Sequence, residues 1–378
     1  MKKEMRPSTV VAETTPSARR AELDSPFPSV THRRSFLKGL GVAGASLTAG
    51  ALLSTSVKAE ENSDRLSPGD VAILRFLAAA EIIESDLWLQ YAELGGVTSG
   101  TQNPYQLALQ QLDGDGSQYI SSNTLDEMSH AAFLNAYLQS KGARPVNFDK
   151  FRTLPGSTAT GAQKIKRLTN LTQLTVDTSW YVRYRSQKNP DFGATFPQAI
   201  VLEEVPAIPR DNADFGPGNH IQAIANTAAF HFAFIEQGGS SLYSAMVQKA
   251  NSLEVLRIVV SIGGDEVAHF LEWVDFAGNG VQPPLAPFTD PTNGLTFPNF
   301  DATPNPLLQT NLIFPVPCEF ISPKLPNCAV IRPTDPEGIA AGAVKAFTND
   351  GLFIGQSDEF FDGLHHLAEE ADEAQREF

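Results

Sequence analysis

The chain of 378 residues is acidic: 43 Asp and Glu residues stand against 28 Lys and Arg residues, and the formal net charge is −15. A protein of this charge is a poor partner for nucleic acid or anionic lipid, because both are polyanions and repel it. Charged residues are 19% and hydrophobic residues 42% of the chain, which is typical of a globular protein with appendages. An acidic surface also attracts cations, including metal ions, although the same charge can serve solubility alone.

The N-terminal segment 1–59 has the features of an export signal. Arg33 and Arg34 stand side by side before Ser-Phe-Leu-Lys, which resembles the twin-arginine signal, and small residues up to Ala59 predict cleavage after it. A membrane anchor is the alternative, but the apolar stretch 39–53 is shorter than a bilayer span and is broken by glycines. The sequence therefore predicts that the twin-arginine export machinery is a partner of this protein. The mature protein is expected to be periplasmic or extracellular, with no membrane span after cleavage.

The mature chain carries two blocks of helix signals separated by a long connection. Ser67 is a candidate N-cap ahead of Pro68, and Gly95 and Gly96 are a stop signal after an apolar stripe. The connection contains "RLTNLTQLTVDTSWYVRYRS", which is compatible with strand, turn or short helix. A long connection is typical of a crossover between parallel helices, as in ferritin-like bundles. The sequence predicts an all-α, ferritin-like four-helix bundle with a long crossover over residues 60–280, with helices at about 67–94, 122–141, 219–250 and 252–277.

The composition changes after residue 280. The stretch "VQPPLAPFTDPTNGLTFPNFDATPNPLLQ" is rich in Pro, Asn and Thr, so it predicts an irregular, extended wrap over the bundle. Residues 281–378 would thus form a Pro-rich extension that ends in a polar, acidic helix, "DEFFDGLHHLAEEADEAQREF". Cys318 and Cys328 could pair across a short loop in an oxidising compartment, and their spacing is not that of a zinc site.

Two apolar stretches each contain a glutamate and a histidine three positions apart. Glu127 and His130 lie in "LDEMSHAAFL", and Glu266 and His269 lie in "GGDEVAHFLEW". In a helix this spacing puts both side chains of a pair on one face, one turn apart. A single pair would suit a surface glutamate and an ordinary histidine, whereas two pairs favour a shared centre.

Two further glutamates stand alone inside apolar runs, Glu81 in "LAAAEIIES" and Glu236 in "FHFAFIEQGG". One Glu from each of two helices and a Glu-x-x-His from each of the other two is the ligand set of di-iron and di-manganese carboxylate bundles. Four carboxylates and two imidazoles can hold two divalent ions, whereas burial of the four carboxylates without metal is very unfavourable. The sequence predicts two iron or two manganese ions bound by Glu81, Glu127, His130, Glu236, Glu266 and His269.

Three neighbouring residues are candidates of a second kind. Glu84 follows Glu81 by three positions and could replace it as a ligand. Tyr243 follows Glu236 by seven positions, so it could lie near the centre as a hydrogen-bond or electron donor, with core packing as the alternative. His231 is expected to point elsewhere on its helix and not to bind metal.

Glycine pairs interrupt both helices beside the predicted site. Gly238 and Gly239 follow Glu236, and Gly263 and Gly264 precede Glu266. Each glycine in a helix interior costs about 1 kcal/mol. We therefore expect these glycines to allow a close approach of helices or to leave space for a small substrate.

Four stretches, "AEIIESDLW", "DEMSHAAFL", "EQGGSSLY" and "GGDEVAHFLEW", resemble an exported ferritin-like family that includes desiccation-related proteins. The resemblance covers roughly residues 67–142 and 219–278. It implies a helical bundle with a dinuclear metal site and the same six ligands, and it implies the fold more directly than the reaction.

The export signal and the ligand set together favour an exported di-metal protein that reacts with oxygen or hydrogen peroxide as an oxidase, a peroxidase or a catalase-like enzyme in stress protection. Iron binding with ferroxidase-type storage is a second hypothesis, and a stress-protective protein with a purely structural site is a third. A homo-oligomer is compatible with each of them.

Overall fold

The computed structural model describes residues 65–97, 102–183, 196–300, 315–318, 321–331 and 334–377. The predicted export signal in residues 1–59 lies outside these described residues. The chain is mostly helical within them, with 56% of residues in helix and 6% in strand, and those strands form no closed sheet. The prediction of a predominantly helical fold is confirmed.

Eight α-helices lie in the described ranges, and four of them are long. In chain order they are α1 (Pro68–Gly95), α2 (Pro104–Leu112), α3 (Gly116–Ser140), α4 (Trp180–Arg183), α5 (His220–Met246), α6 (Leu253–Asn279), α7 (Ile339–Asn349) and α8 (Asp358–Glu373). The four long helices, α1, α3, α5 and α6, correspond to the four that the apolar periodicity predicts.

Side-chain caps fix the starts of two long helices. The Ser67 hydroxyl accepts a hydrogen bond from the backbone N–H of Asp70 at 3.0 Å, and Pro68 takes the first helical position of α1. Ser252 caps α6 in the same way by accepting from the N–H of Val255 at 3.1 Å. Such caps contribute about 1 kcal/mol each, which explains why the sequence predicts these starts closely.

Helix α3 starts earlier than the sequence predicts. It begins at Gly116 and not near residue 122, and its N-terminus carries no side-chain cap. Asn123, whose residue type suggests an N-cap, lies inside the helix and is 3% exposed. Its amide makes hydrogen bonds to other core side chains, so the helix continues through a residue that usually interrupts it.

The long helices pack in two pairs, α1 along α3 and α5 along α6. The pairs meet where α1 contacts α5 and where α3 contacts α6. Trp88 and Trp273 stack between them with ring centroids 5.3 Å apart, and Phe232 lies against both rings. All three side chains are fully buried, and each contributes roughly 1.5–3 kcal/mol through burial of apolar surface.

The connection between α3 and α5 packs onto α1. Its two short strands, β1 (Leu174–Val176) and β2 (Leu202–Val205), pair antiparallel, and α4 lies between them in the chain. The Asp86 carboxylate on α1 accepts hydrogen bonds from the backbone N–H groups of Leu168 and Thr169 at 3.0 and 2.9 Å. The described part of this connection is therefore a mixture of strand, turn and short helix.

The segment after α6 is largely irregular, as its proline content predicts. It contains two short antiparallel pairs: β3 (Phe288–Thr289) with β4 (Thr296–Phe297), and β5 (Pro315–Val316) with β6 (Cys328–Ala329). No disulfide joins Cys318 to Cys328, so the pairing that their spacing allows is not formed.

The C-terminal part is more ordered than its composition suggests. The sequence predicts α8 as a polar helix, but Phe360, Leu364 and Leu367 form an apolar face that is buried, and α8 packs on α1. The sequence analysis did not identify α7 or α2, which are both short. Within the described ranges, none of the helices has the length and apolar content that a bilayer span requires.

Candidate metal centre

Side chains from all four long helices meet in one buried space. The four glutamates are 0–1% exposed and the two histidines 7–8%. Each Glu-x-x-His pair occupies consecutive turns of one helix face, which brings both of its side chains to the same space. Helix α1 supplies Glu81, α3 supplies Glu127 and His130, α5 supplies Glu236, and α6 supplies Glu266 and His269.

These side chains form two groups of four potential ligands that share two carboxylates. One atom from each member lies within 4.8 Å of the others in its group. The first group is Glu81, Glu127, His130 and Glu266, and the second is Glu127, Glu236, Glu266 and His269. Glu127 and Glu266 belong to both groups, and each group keeps one glutamate and one histidine of its own, so the cluster could hold metal ions in two adjoining places.

His130 lies in the middle of the first group. Its Nδ1 atom is 3.4 Å from Glu81 Oε2, 3.3 Å from Glu127 Oε2 and 3.5 Å from Glu266 Oε1. One ring nitrogen therefore faces three carboxylates at once, more than a single N–H can serve.

His269 has the matching position in the second group. Its Nδ1 atom is 3.1 Å from Glu127 Oε1 and 3.3 Å from Glu236 Oε2, yet it forms a hydrogen bond with neither. Each histidine thus faces the glutamate of its own group and Glu127, and His130 faces the second shared carboxylate, Glu266, as well.

Several buried atoms of the cluster have no hydrogen-bond partner among the described residues. They are Oε2 of Glu81, Oε2 of Glu236, both carboxylate oxygens of Glu266, and both ring nitrogens of His269. Buried polar atoms are normally paired, and an unpaired buried anion is strongly unfavourable. Oxygen and imidazole nitrogen donors converging on one space fit divalent iron or manganese.

The crowded cluster raises the pKa values of its members. Burial raises the pKa of Glu127 to about 8, and neighbouring carboxylates add to the effect. Burial also raises the pKa values of Glu266 and Glu84 well above the usual range. Burial alone would lower the pKa values of His130 and His269, but the carboxylates around them outweigh it and raise both. The metal-free cluster therefore holds protons that a bound cation must displace.

An aspartate precedes the glutamate in both motifs, and the two aspartates face opposite histidines. Asp265 Oδ2 lies 3.2 Å from His130 Nε2, and Asp126 Oδ2 lies 3.5 Å from His269 Nε2. Both aspartate side chains are about half exposed, at 46%. These two aspartates are not among the residues predicted for the site, although both belong to a repeated Asp-Glu-x-x-His pattern in the sequence. A carboxylate on the outer nitrogen of a metal-binding histidine orients the ring.

Asn123 is a further residue that the sequence analysis did not assign to the site. Its amide nitrogen donates hydrogen bonds to Glu127 Oε1 at 2.6 Å and to Glu236 Oε1 at 3.1 Å. Its amide oxygen accepts from Trp273 Nε1 at 2.6 Å. Asn123 therefore connects the carboxylates of Glu127 and Glu236 to the aromatic core through Trp273.

The three neighbouring residues considered beside the six predicted ligands, Glu84, Tyr243 and His231, have distinct surroundings. Glu84 is buried but belongs to neither group of four, whereas Glu81 belongs to the first group. The Tyr243 hydroxyl donates a hydrogen bond to Glu81 Oε1. His231 lies outside both groups, as its position on the helix predicts, and bonds instead to Tyr91.

Two of the predicted glycines give neighbouring side chains room beside the cluster. A Cβ atom at Gly239 would overlap the carboxylate of Glu266, and one at Gly263 would lie 2.8 Å from Tyr243 Cβ. A Cβ at Gly264 would meet nothing within 4 Å. Gly239 and Gly263 therefore support close approach between α5 and α6, as the sequence predicts.

Comparisons of the chain with protein-family models, with curated proteins and with solved structures find no match. The function must therefore be argued from the site itself.

Proposed function

We propose that this protein is an exported, ferritin-like four-helix-bundle protein with a dinuclear iron or manganese centre that reacts with oxygen or hydrogen peroxide in stress protection. The observation that carries the proposal is the pair of four-ligand groups that share Glu127 and Glu266. The packing of α1 with α3 and of α5 with α6 supports a bundle. The resemblance to exported ferritin-like proteins and the twin-arginine pattern support the family and the export.

The proposed roles follow from the contacts. Glu127 and Glu266 would be shared by the two halves of the centre, Glu81 and His130 would help to hold metal in one half, and Glu236 and His269 would do so in the other. Bound iron or manganese would supply one-electron redox chemistry with oxygen or peroxide.

Other residues of the chain hold these ligands in place. Asn123 fixes the carboxylates of Glu127 and Glu236, and Tyr243 fixes that of Glu81 through its hydroxyl. Asp265 lies beside the outer nitrogen of His130 and Asp126 beside that of His269, where each could orient the ring once metal is bound. The apolar packing around the carboxylates excludes bulk water, which strengthens their interaction with a cation.

Metal content is the first test of this proposal. The purified protein should contain about two iron or manganese ions per chain by elemental analysis. A Glu127→Gln, Glu266→Gln double variant should lose both, because it removes the shared carboxylates. A His365→Ala, His366→Ala variant is the matched control for adventitious binding, since these adjacent histidines lie outside both ligand groups.

Consumption of oxygen and hydrogen peroxide by the metal-loaded protein then tests the reaction, with the metal-free protein as its blank. Turnover that the double variant lacks would support a di-metal oxidoreductase. Many irons per chain without turnover would favour storage, and two tightly held ions without turnover would favour a structural site. Absence of stoichiometric metal, with a double variant of equal stability, would overturn the proposal.

A further inference from the structure

A continuous row of buried aromatic rings leads away from the carboxylate cluster. Trp273 donates its indole N–H to Asn123, which itself bonds to Glu127. The Trp273 ring stacks on Trp88 with centroids 5.3 Å apart and an interplanar angle of 26°. Trp88 in turn lies 5.7 Å from the ring of Tyr91. The three aromatic side chains are fully buried.

The row ends in a buried hydrogen-bonded triad. The Tyr91 hydroxyl lies 2.6 Å from His231 Nδ1, and His231 Nε2 lies 2.9 Å from Asp350 Oδ2. All three side chains are at most 1% exposed. The triad joins α1, α5 and the residue that follows α7, and it takes no part in either ligand group.

The hydrogen bonds of the triad set the direction of its protons. Among the described residues, His231 Nδ1 is the hydrogen-bond partner of the Tyr91 hydroxyl and no second partner is found. A buried phenol is stabilised by an acceptor for its proton, so the arrangement fits the tautomer in which Tyr91 donates to Nδ1 and the Nε2–H donates to Asp350. His231 is therefore poised as a base on Tyr91, oriented by a carboxylate.

We propose that Trp273, Trp88 and Tyr91 form a route for single electrons to the metal centre, with His231 as the acceptor of the Tyr91 proton. This inference rests on the proposed function, because the oxidant is the centre after its reaction with oxygen or peroxide. It adds Trp273, Trp88 and Tyr91, which belong to neither ligand group, to the residues that act with the centre.

The step balances in charge and atoms. Trp273 would give one electron toward the oxidised centre and regain one from Trp88, and Trp88 would regain one from Tyr91. The Tyr91 O–H bond breaks as its electron leaves, and an N–H bond forms on His231 Nδ1. The products are a neutral tyrosyl radical and an imidazolium beside Asp350. A small one-electron donor of the phenol or ascorbate class would restore Tyr91, and Asp350 borders a cavity of about 400 Å³.

Tyr105 provides a matched control within the same core. It is also fully buried, but its hydroxyl donates to the backbone carbonyl of Ala207 at 2.8 Å. A carbonyl oxygen cannot take the phenol proton as an imidazole can. Trp180 is the corresponding control for the tryptophans, because it is fully buried and packs against Tyr181 and Phe270, away from Trp88 and Trp273.

Laser photoionisation of the tryptophans in the metal-free protein tests the route without any metal chemistry. Transient absorption and low-temperature EPR should show a tryptophan radical that decays as a tyrosyl radical appears. In a Trp180→Phe background, which removes the tryptophan beside Tyr181, Tyr91→Phe should abolish the tyrosyl signal, and Tyr105→Phe should leave it unchanged. His231→Gln should slow its appearance at least about tenfold, because the general base is lost. Thermal melts confirm that each variant is folded.

NMR of ¹⁵N-histidine-labelled protein provides a second readout, in which His231 should carry its proton on Nε2. A His231 imidazolium, or a tyrosyl signal that survives in Tyr91→Phe, would overturn the route. EPR of the metal-loaded protein after peroxide separates the two proposals. If the metals do not react but the photochemical radical forms on Tyr91, the proposed reaction fails and the route stands. If the metals are oxidised and neither experiment yields a Tyr91 radical, the route fails alone.

Discussion

Two of the buried carboxylates of helix α1, Glu81 and Asp86, lie five residues apart, and their surroundings differ completely. Asp86 is 1% exposed and accepts hydrogen bonds from the N–H groups of Leu168 and Thr169, and it also pairs with Arg152. Glu81 is equally buried, but its Oε2 atom has no hydrogen-bond partner among the described residues. The polypeptide thus supplies hydrogen-bond donors to the Asp86 carboxylate. The Glu81 carboxylate instead has an oxygen that lies near further carboxylates and a histidine.

This difference in hydrogen bonding distinguishes a structural anion, Asp86, from a candidate metal ligand, Glu81. A buried anion that a protein uses for architecture is surrounded by donors, because desolvation is otherwise uncompensated. Glu81, Glu236 and Glu266 lack such donors on the atoms that face one another. Cations are therefore the partners that best fit these carboxylate oxygens. The comparison can be tested with variants of the cluster and with a variant of Asp86.

Metal loading should have the largest effect on the cluster. With free manganese at about 100 times the dissociation constant of each site, the free energy of unfolding should rise by about 5 kcal/mol for two sites. Glu266→Gln should remove most of this gain, because Glu266 belongs to both groups. Chemical denaturation with and without metal measures the difference. Equal responses of the variant and the native chain would contradict the assignment.

Asp86→Ala should lower the free energy of unfolding by about 4 kcal/mol, because it leaves buried N–H groups and Arg152 without their acceptor. The metal content of this variant should stay unchanged. A loss of metal together with the loss of stability would show that the two carboxylates are not independent, and elemental analysis of the folded variant decides the point.

The metal-free protein should lose stability as the pH rises. The pKa of Glu127 is raised from the ordinary 4.5 to about 8, so the folded state holds more protons than the unfolded state between these values. Stability then falls with rising pH, and the raised pKa values of His130 and His269 act in the same direction above about pH 6.5. We expect the free energy of unfolding of the metal-free protein to fall by on the order of 3 kcal/mol between pH 5 and 8.

The metal-loaded protein should not show this loss, because its ligands are already deprotonated. Chemical denaturation at pH 5, 6.5 and 8 compares the two forms. Parallel pH profiles for the loaded and the metal-free chain would argue that the raised pKa values and the metal site are unrelated.

A pair of glycine substitutions gives the smallest and most local test. Gly239→Ala should reduce metal occupancy, because its Cβ would overlap the Glu266 carboxylate. Gly264→Ala is the matched control, since its Cβ meets nothing within 4 Å and alanine favours helix by about 1 kcal/mol. We expect the control to be slightly stabilised with full metal content. Equal occupancy in both variants would show that Gly239 does not hold Glu266 in place.

The sequence predicts the long helices well because they carry their own local signals. Ser67 and Ser252 cap α1 and α6, and the apolar periodicity marks their buried faces. The Glu-x-x-His spacing likewise predicts which residues meet, since the helix repeat alone puts each pair on one face. The four residues that the spacing singles out and the two solitary glutamates, Glu81 and Glu236, do come together in the structure.

Contacts between distant segments could not be predicted in the same way. Asn123 has the residue type of an N-cap, and only the approach of α5 and α6 shows that its amide bonds to Glu236 and Trp273. The triad of Tyr91, His231 and Asp350 joins three parts of the chain with no shared motif. Such pairings depend on tertiary packing, which leaves no periodic trace in the sequence.

The crossed placement of the two aspartates has a consequence for assembly. Asp126 lies against the histidine of α6, and Asp265 lies against the histidine of α3, so each motif supports the ring that the other one supplies. Neither helix pair can build a complete coordination shell by itself. If the cluster binds metal as we propose, metal capture would require the two halves to dock, and a chain that ended before α6 would lack Glu266 and His269.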